Sequence, residues 1–346
     1  MMTKRLLLSI LILPFLITLL FGQNETAEQE YIKAMQAKSN EQKAQLLKEY
    51  ISKYKGKGTK YEQFAFANLC LTPYKGKTPQ ETIEYGEQAL SLGGLDDLTK
   101  IQVLVSVSGL YSQLNKNLDR AKNYAAEVIQ IAKKNKNSSE PITSIKHLDK
   151  MIGIGYFLQG QVLEKQNSCS QAVDNYEKAY KILKDMQIIK NVKNMGLSLY
   201  KNKSYRSAEK AFKLCASVLK DYDIYVFYAK SLYKNSNKNL ALNYFKKAYS
   251  QQKKGDVAFN IGMILASKAK SDSSFTDEAV KYLLEASFLS NANSQKARQY
   301  AQSLYFSQYP EYNENVKKLQ ESNERLEKLT EEFNEKFSIK TQEELT

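Results

Sequence analysis

His147 is the only histidine in the chain, and the three cysteines, Cys70, Cys169 and Cys215, lie far apart in sequence. A nucleophile–histidine pair with a second base, or a histidine-rich metal centre, has almost nothing to be built from. Three scattered cysteines make neither a disulfide framework nor a metal-ligand spacing. Cys70 and Cys215 fall among apolar helical positions, where a free thiol is a small core residue. Gly93 and Gly94 are not followed by the Lys and Ser or Thr of a phosphate loop. The string GIGYFLQG, Gly153 to Gly160, has the glycines of a dinucleotide turn but lies inside a helical period instead of after a strand. Acidic residues sit at helical spacing from lysines, as Glu324 does from Lys328, which is the pattern of a solvated face. The expectation is a protein that is not an enzyme and has no metal site and no cofactor.

Charge and the N-terminus carry more information. With 51 Lys and Arg against 37 Asp and Glu, the chain has a formal charge of +14. Lys4 and Arg5 precede an apolar run from Leu6 to Phe21 that ends at Gly22 before polar residues, the three-part pattern of a secretory signal. The run holds Pro14 and is short for spanning a bilayer. Cleavage after Gly22 is expected, with an uncleaved anchor as the alternative. No Cys follows the run to carry a lipid. The stretch from Glu311 onward is acidic, so the excess positive charge is concentrated in the body. In an exported chain, periplasmic or in the cell envelope, the counter-charge is an acidic protein segment or an anionic envelope surface, and not nucleic acid.

A ladder of small and large residues decides the fold. Ala172, Tyr176 and Ala179 follow Gly160. Ala208, Phe212 and Cys215 follow Gly196, and Ala241, Phe245 and Ala248 follow Ala229. Ala279, Leu283 and Ala286 follow Gly262 through a longer connection, and Ala121, Ala125 and Val128 follow Gly109. Thr82 and Ala89 follow Cys70. Small residues let two helices cross closely, and a large residue one turn on fills the space between them. From Gly153 to Ser250 this ladder resembles the tetratricopeptide repeat (TPR) family, with Tyr156, Val192 and Tyr225 at the slot that often holds Trp. The resemblance implies an all-α solenoid of antiparallel helix pairs. The predicted organisation is a signal over 1–22, a helical pair over 23–60, the repeat array over 61–290 and C-terminal helices over 291–346. Asn135 to Pro141 is predicted to be the long loop behind the widest repeat step. Ser294 to Gln308 is predicted to be a helix closed by Pro310. Beyond it, Val316, Leu319, Leu326, Leu329, Phe333 and Phe337 form an apolar stripe suited to a capping helix, with a coiled-coil seam as the sharper reading.

What the resemblance implies for function is binding on the wall formed by the first helix of each pair. Lys190, Lys193, Asn194, Leu197, Tyr200 and Lys201 fall on that wall in one repeat, and Lys230, Tyr233 and Lys234 in the next. Val103, Ser106 and Leu110, then Ile154, Phe157 and Gln161, fall there in earlier repeats. Lysines with asparagine resemble the sets with which some TPR domains grip a peptide carboxylate. The plain alternative is solvated surface in a lysine-rich chain. The expected function is an exported, non-catalytic scaffold that binds a protein or peptide, acidic in character. The alternative is an envelope assembly factor held at the membrane by an uncleaved anchor and its basic surface.

Overall fold

The computed structural model describes residues 26–289, 292–308 and 323–337. The expected signal, Pro310, Val316 and Leu319 lie outside the described residues. Two compact units divide the chain, residues 1–188 and 189–346. Among the described residues no helix is long and apolar enough to cross a membrane.

The first unit holds α1 (26–35), α2 (Asn40–Tyr54), α3 (Glu62–Leu71), α4 (Pro79–Leu92), α5 (Asp97–Gln113), α6 (Leu118–Lys136), α7 (Ile145–Lys165) and α8 (Cys169–Leu183). Local chemistry sets their starts. The Ser39 side chain accepts from the Gln42 N–H, and Thr78 with Glu81 forms a capping box with Pro79 at the first helical position. Each helix packs on the next, and α5 also touches α3 and α7, so alternate helices form two layers. The expected stack of antiparallel TPR-like pairs is present.

The same device closes several of the pairs. The N–H groups of Lys116, Ser168, Ser204 and Asn237 donate to carbonyls five residues back, those of Tyr111, Leu163, Leu199 and Leu232, at 2.8–2.9 Å. The residue just before each donor, Asn115, Asn167, Lys203 or Ser236, is left-handed, with φ between 53° and 66°. These are Schellman closures, and they repeat with the period of the ladder.

Three details depart from the sequence reading. The crossing slot before Ala121 is held by Ser108, not Gly109: Ser108 is fully buried and its hydroxyl donates to the Ala121 carbonyl at 2.8 Å, whereas a Cβ on Gly109 would make only ordinary contact with Leu158. Gly86 takes the slot that holds Tyr176 or Phe212 elsewhere, and Val107 of α5 fills the space, 2.3 Å from where a Cβ would stand. The widest repeat step owes its length chiefly to α6 and α7, of 19 and 21 residues; α6 runs through Asn135, which is buried and bonded to Asp97 and to the Ile131 carbonyl.

The second unit holds nearly all of α9 (Met186–Lys201), then α10 (Tyr205–Val218), α11 (Tyr222–Lys234), α12 (Lys238–Gln251), α13 (Gly255–Ala269), a short 3-10 turn (Ser273–Phe275), α14 (Thr276–Phe288), α15 (Ser294–Phe306) and α16 (Asn323–Lys336). The predicted crossings are present. A Cβ on Gly196 would lie 3.1 Å from the Phe212 ring, and one on Gly262 would lie 2.7 Å from Leu283. Ala208, Phe212, Ala241, Phe245, Ala279 and Leu283 are fully buried. α16 seats Leu329 and Phe333 on Tyr305, Phe306 and Leu284, so these two residues of its stripe cap the stack.

Candidate functional site

All nine wall residues predicted between Lys190 and Lys234 belong to the second unit, on α9 and α11. These helices are neighbours in one layer: the Tyr200 and Phe227 rings meet edge to face at 5.5 Å. α11 starts where it does because Asp221 caps it, accepting from the Ile224 N–H at 3.0 Å. Phe227 stacks on buried Phe212 at 5.6 Å, and Tyr200 also meets Tyr205 at 5.4 Å. Burial, and to a lesser degree Tyr205, raises the Tyr200 phenol above its usual range. Tyr200 is therefore a half-buried prop between α9, α10 and α11, whereas Tyr233 is exposed.

The lysines divide into two classes. Lys193 reaches Asp221 at 3.5 Å and Lys230 reaches Asp256 at 3.7 Å, each pairing one helix of the layer with the start of the next. Lys230 also lies over the Phe227 ring and Lys234 over Tyr205, at 5.8 and 5.9 Å. Lys190, Lys201 and Asn194 are exposed and make no ion pair among the described residues. Asp256 also helps burial push the Tyr222 phenol up to about 12. The wall thus alternates ammonium and carboxylate groups, with two of its lysines already facing acids of this chain.

Sequence reasoning missed a concavity of this unit. A groove of about 710 Å³ lies between α13 and α15, with Met263, Tyr300 and Leu304 as apolar walls and Ser267, Ser303 and Ser307 as hydroxyls. Met263 follows the ladder residue Gly262, so the groove uses the same helix layer as α9 and α11. Lys238, just past Lys234, donates to Ser267 at 3.2 Å and links the basic wall to the groove. A scan of the sequence for chemistry passes over serines and alanines, and Ser273 of the longer connection lines this space.

In the first unit the earlier wall set is only partly available. Val103 is fully buried in the cluster of Phe66, Cys70 and Ala121, because its side of α5 packs inward; Ser106, Leu110, Ile154, Phe157 and Gln161 are half-buried. The unit's polar interior is organised by Glu87, which accepts from Tyr111 at 2.8 Å and Tyr124 at 2.9 Å and pairs with Arg120 at 2.8 Å. Burial first, and then Glu87, pushes the Tyr124 phenol up to about 12. His147 begins α7, its N–H bonded to Ser144, and among the described residues no three of His, Cys, Asp and Glu gather where they could hold a metal ion.

No protein-family model matches the sequence, and no curated protein sequence matches it. Among solved structures the chain is similar to a tetratricopeptide repeat protein from Parabacteroides merdae, at 13% identity over 80% of this chain and 98% of that one, with a TM-score of 0.37. It is similar to the C-terminal part of a TPR repeat-containing protein from Cytophaga hutchinsonii, at 13% identity over 71% and 95% of the two chains, TM-score 0.33. It is also similar to the TPR2AB domain of yeast Sti1 in complex with pHSP90, at 14% identity over 71% and 96%, TM-score 0.28. Likeness at this level leaves the fold resting on the helix pairing itself.

Proposed function

We propose that the chain is an exported, non-catalytic scaffold whose second unit binds a segment of another protein along the α9, α11 and α13 layer. The observation that carries the reading is the groove between α13 and α15, large enough for side chains of a peptide and joined through Lys238 to a wall of exposed Lys190, Asn194, Lys201, Tyr233 and Lys234. Apolar side chains of the segment fit between Met263 and Leu304, and its carboxylates face the unpaired lysines.

The test is crosslinking-assisted capture from the cell envelope with the full chain. A Ser303→Trp substitution, which fills the groove from an exposed position, is expected to abolish recovery of a dominant protein partner, and Lys201→Glu with Lys234→Glu to weaken it in a salt-dependent way. Recovery unaffected by either change overturns the reading. Export is tested separately by N-terminal sequencing, which is expected to find Gln23; an intact Met1 in the membrane fraction would favour the anchored assembly factor.

A further inference from the structure

The turn between α2 and α3 reads K-Y-K-G-K-G-T-K-Y over residues 53–61, and the structure shows why so many lysines are tolerated there. The turn is pinned from inside. Thr59 is buried and its hydroxyl bonds to that of Tyr50 at 2.9 Å, and buried Glu62 accepts from the Gly56 N–H at 2.9 Å. Gly56 and Gly58 supply φ values of 75° and 65°, where other residues are strained. The aromatic rings then hold the lysines outward: Lys57 lies over Tyr54, Lys60 over Tyr61 and Lys55 over Phe66, at 5.9, 5.2 and 5.9 Å. All three are exposed, and none has a carboxylate partner among the described residues, because Glu62 is turned inward and Glu30 is engaged by Lys53.

Contacts tie the turn to α1, the helix that follows the apolar N-terminal run in sequence. α1 begins a few residues after that run, and its Tyr31 stacks on Tyr61 at 4.8 Å while its Glu28 accepts from the Tyr61 hydroxyl at 2.5 Å. Glu28 is seven positions on from Phe21, so its Cα lies within about 25 Å of the end of the run however the intervening chain is arranged, and Tyr61, which it contacts, is next to Lys60. Any bilayer that the run enters or crosses is therefore within reach of the turn.

We infer that Lys55, Lys57 and Lys60 form a docking surface for anionic phospholipid headgroups. Lysine suits this partner. Ammonium groups on flexible stems act as point charges against a laterally mobile surface and need no fixed geometry, whereas bidentate recognition of a defined phosphate favours Arg, which is absent from residues 6–119. A weak apolar insertion and a polybasic patch together give lasting attachment where either alone is marginal. The inference rests on the anchored reading, in which the run is kept and holds the chain at a bilayer, and it is independent of peptide binding by the second unit.

The experiment is flotation of the full chain with vesicles of phosphatidylcholine alone or mixed equally with phosphatidylglycerol. The chain carries either the triple substitution Lys55→Gln, Lys57→Gln and Lys60→Gln or a control at Lys190, Lys201 and Lys234. Binding to neutral vesicles reports the apolar run and is expected to be the same for all. The added binding on anionic vesicles is expected to fall about fivefold per lysine, so about a hundredfold for the turn variant, and to vanish for the wild type near 1 M salt, where screening shortens to about 3 Å. The control should also lose less than the turn variant. An equal loss in the control, or no loss in the turn variant, overturns the assignment. Turn-dependent capture of a soluble polyanion such as heparin, as tight as capture of the vesicles, overturns it in favour of a polymer site. Should the triple variant fail to fold, the three single variants carry the same test at fivefold each.

Discussion

The lysines of α9 and α11 and those of the α2–α3 turn are set in similar aromatic surroundings, yet they meet different electrostatic company. In the second unit Lys193 and Lys230 face Asp221 and Asp256, each at the start of the next helix in the layer. In the first unit Lys55, Lys57 and Lys60 rest on rings with no acid before them, since the one carboxylate inside the turn is committed to the Gly56 N–H. Net charge along a sequence is thus a poor guide to where positive charge is on offer. What matters is where the acids point, and a stacked-repeat layer places the acids of one helix start beside the lysines of its neighbour.

Removing what lies under each lysine set separates the two regions most strongly. Phe212→Ala deletes the buried ring on which Phe227 stacks and is expected to cost about 3 to 5 kcal/mol. Urea unfolding should show this loss in the second unit, while the vesicle binding assigned to the turn is unchanged under native conditions. A loss well below this range would mean that the α9–α10–α11 crossing is not the support of the wall.

The acids should differ from one another. Asp221 both caps α11 and faces Lys193, so Asp221→Ala is expected to cost about 1 to 2 kcal/mol in thermal unfolding. Asp256 has no capping bond, and Asp256→Ala should cost no more than about 0.5 kcal/mol. Equal losses would show that the ion pairs, not the cap, stabilise the layer. In the turn, Tyr50→Phe removes the bond to buried Thr59 and is expected to cost about 1 kcal/mol. Raised protease cleavage after Lys57 should accompany it. The smallest effect is expected from Lys193→Gln and Lys230→Gln, each within about 0.5 kcal/mol, because partly exposed pairs at 3.5 and 3.7 Å contribute little to folding.

The fold was legible where its signals are local. Gly160 lies against the Tyr176 ring sixteen residues later, and the same spacing joins Gly196 to Phe212, so one helix pair contains its own signature. It was less legible where chemistry substitutes for shape. Ser108 replaces the expected Gly109 because a hydroxyl bonded to a carbonyl permits close approach as well as a missing side chain does. Lys203 and Ser236 occupy left-handed turns of a kind that only Asn115 and Asn167 suggest from their type. The candidate site was half legible. The helix faces carrying Lys190 to Lys234 followed from the period, but the pairing of Lys193 with Asp221 depends on how successive pairs stack. The groove beside Met263 is made of residues that carry no chemical signal. The ring-held lysines of the turn were not legible, since the inward turn of Glu62 is a tertiary fact.

Cys70 and Cys215 sit at helix crossings, one in each unit, both nearly inaccessible, and burial pushes the Cys215 thiol up to about 12 and raises that of Cys70 as well. Cys169 is half-exposed at the start of α8. An alkylating reagent added to the native protein therefore meets one ready thiol and two that are offered only while their own helices part. Each unit carries its own stopwatch: the modification rate of Cys70 times the breathing of the first, that of Cys215 the second, and mass spectrometry of the native sequence reads both in a single reaction.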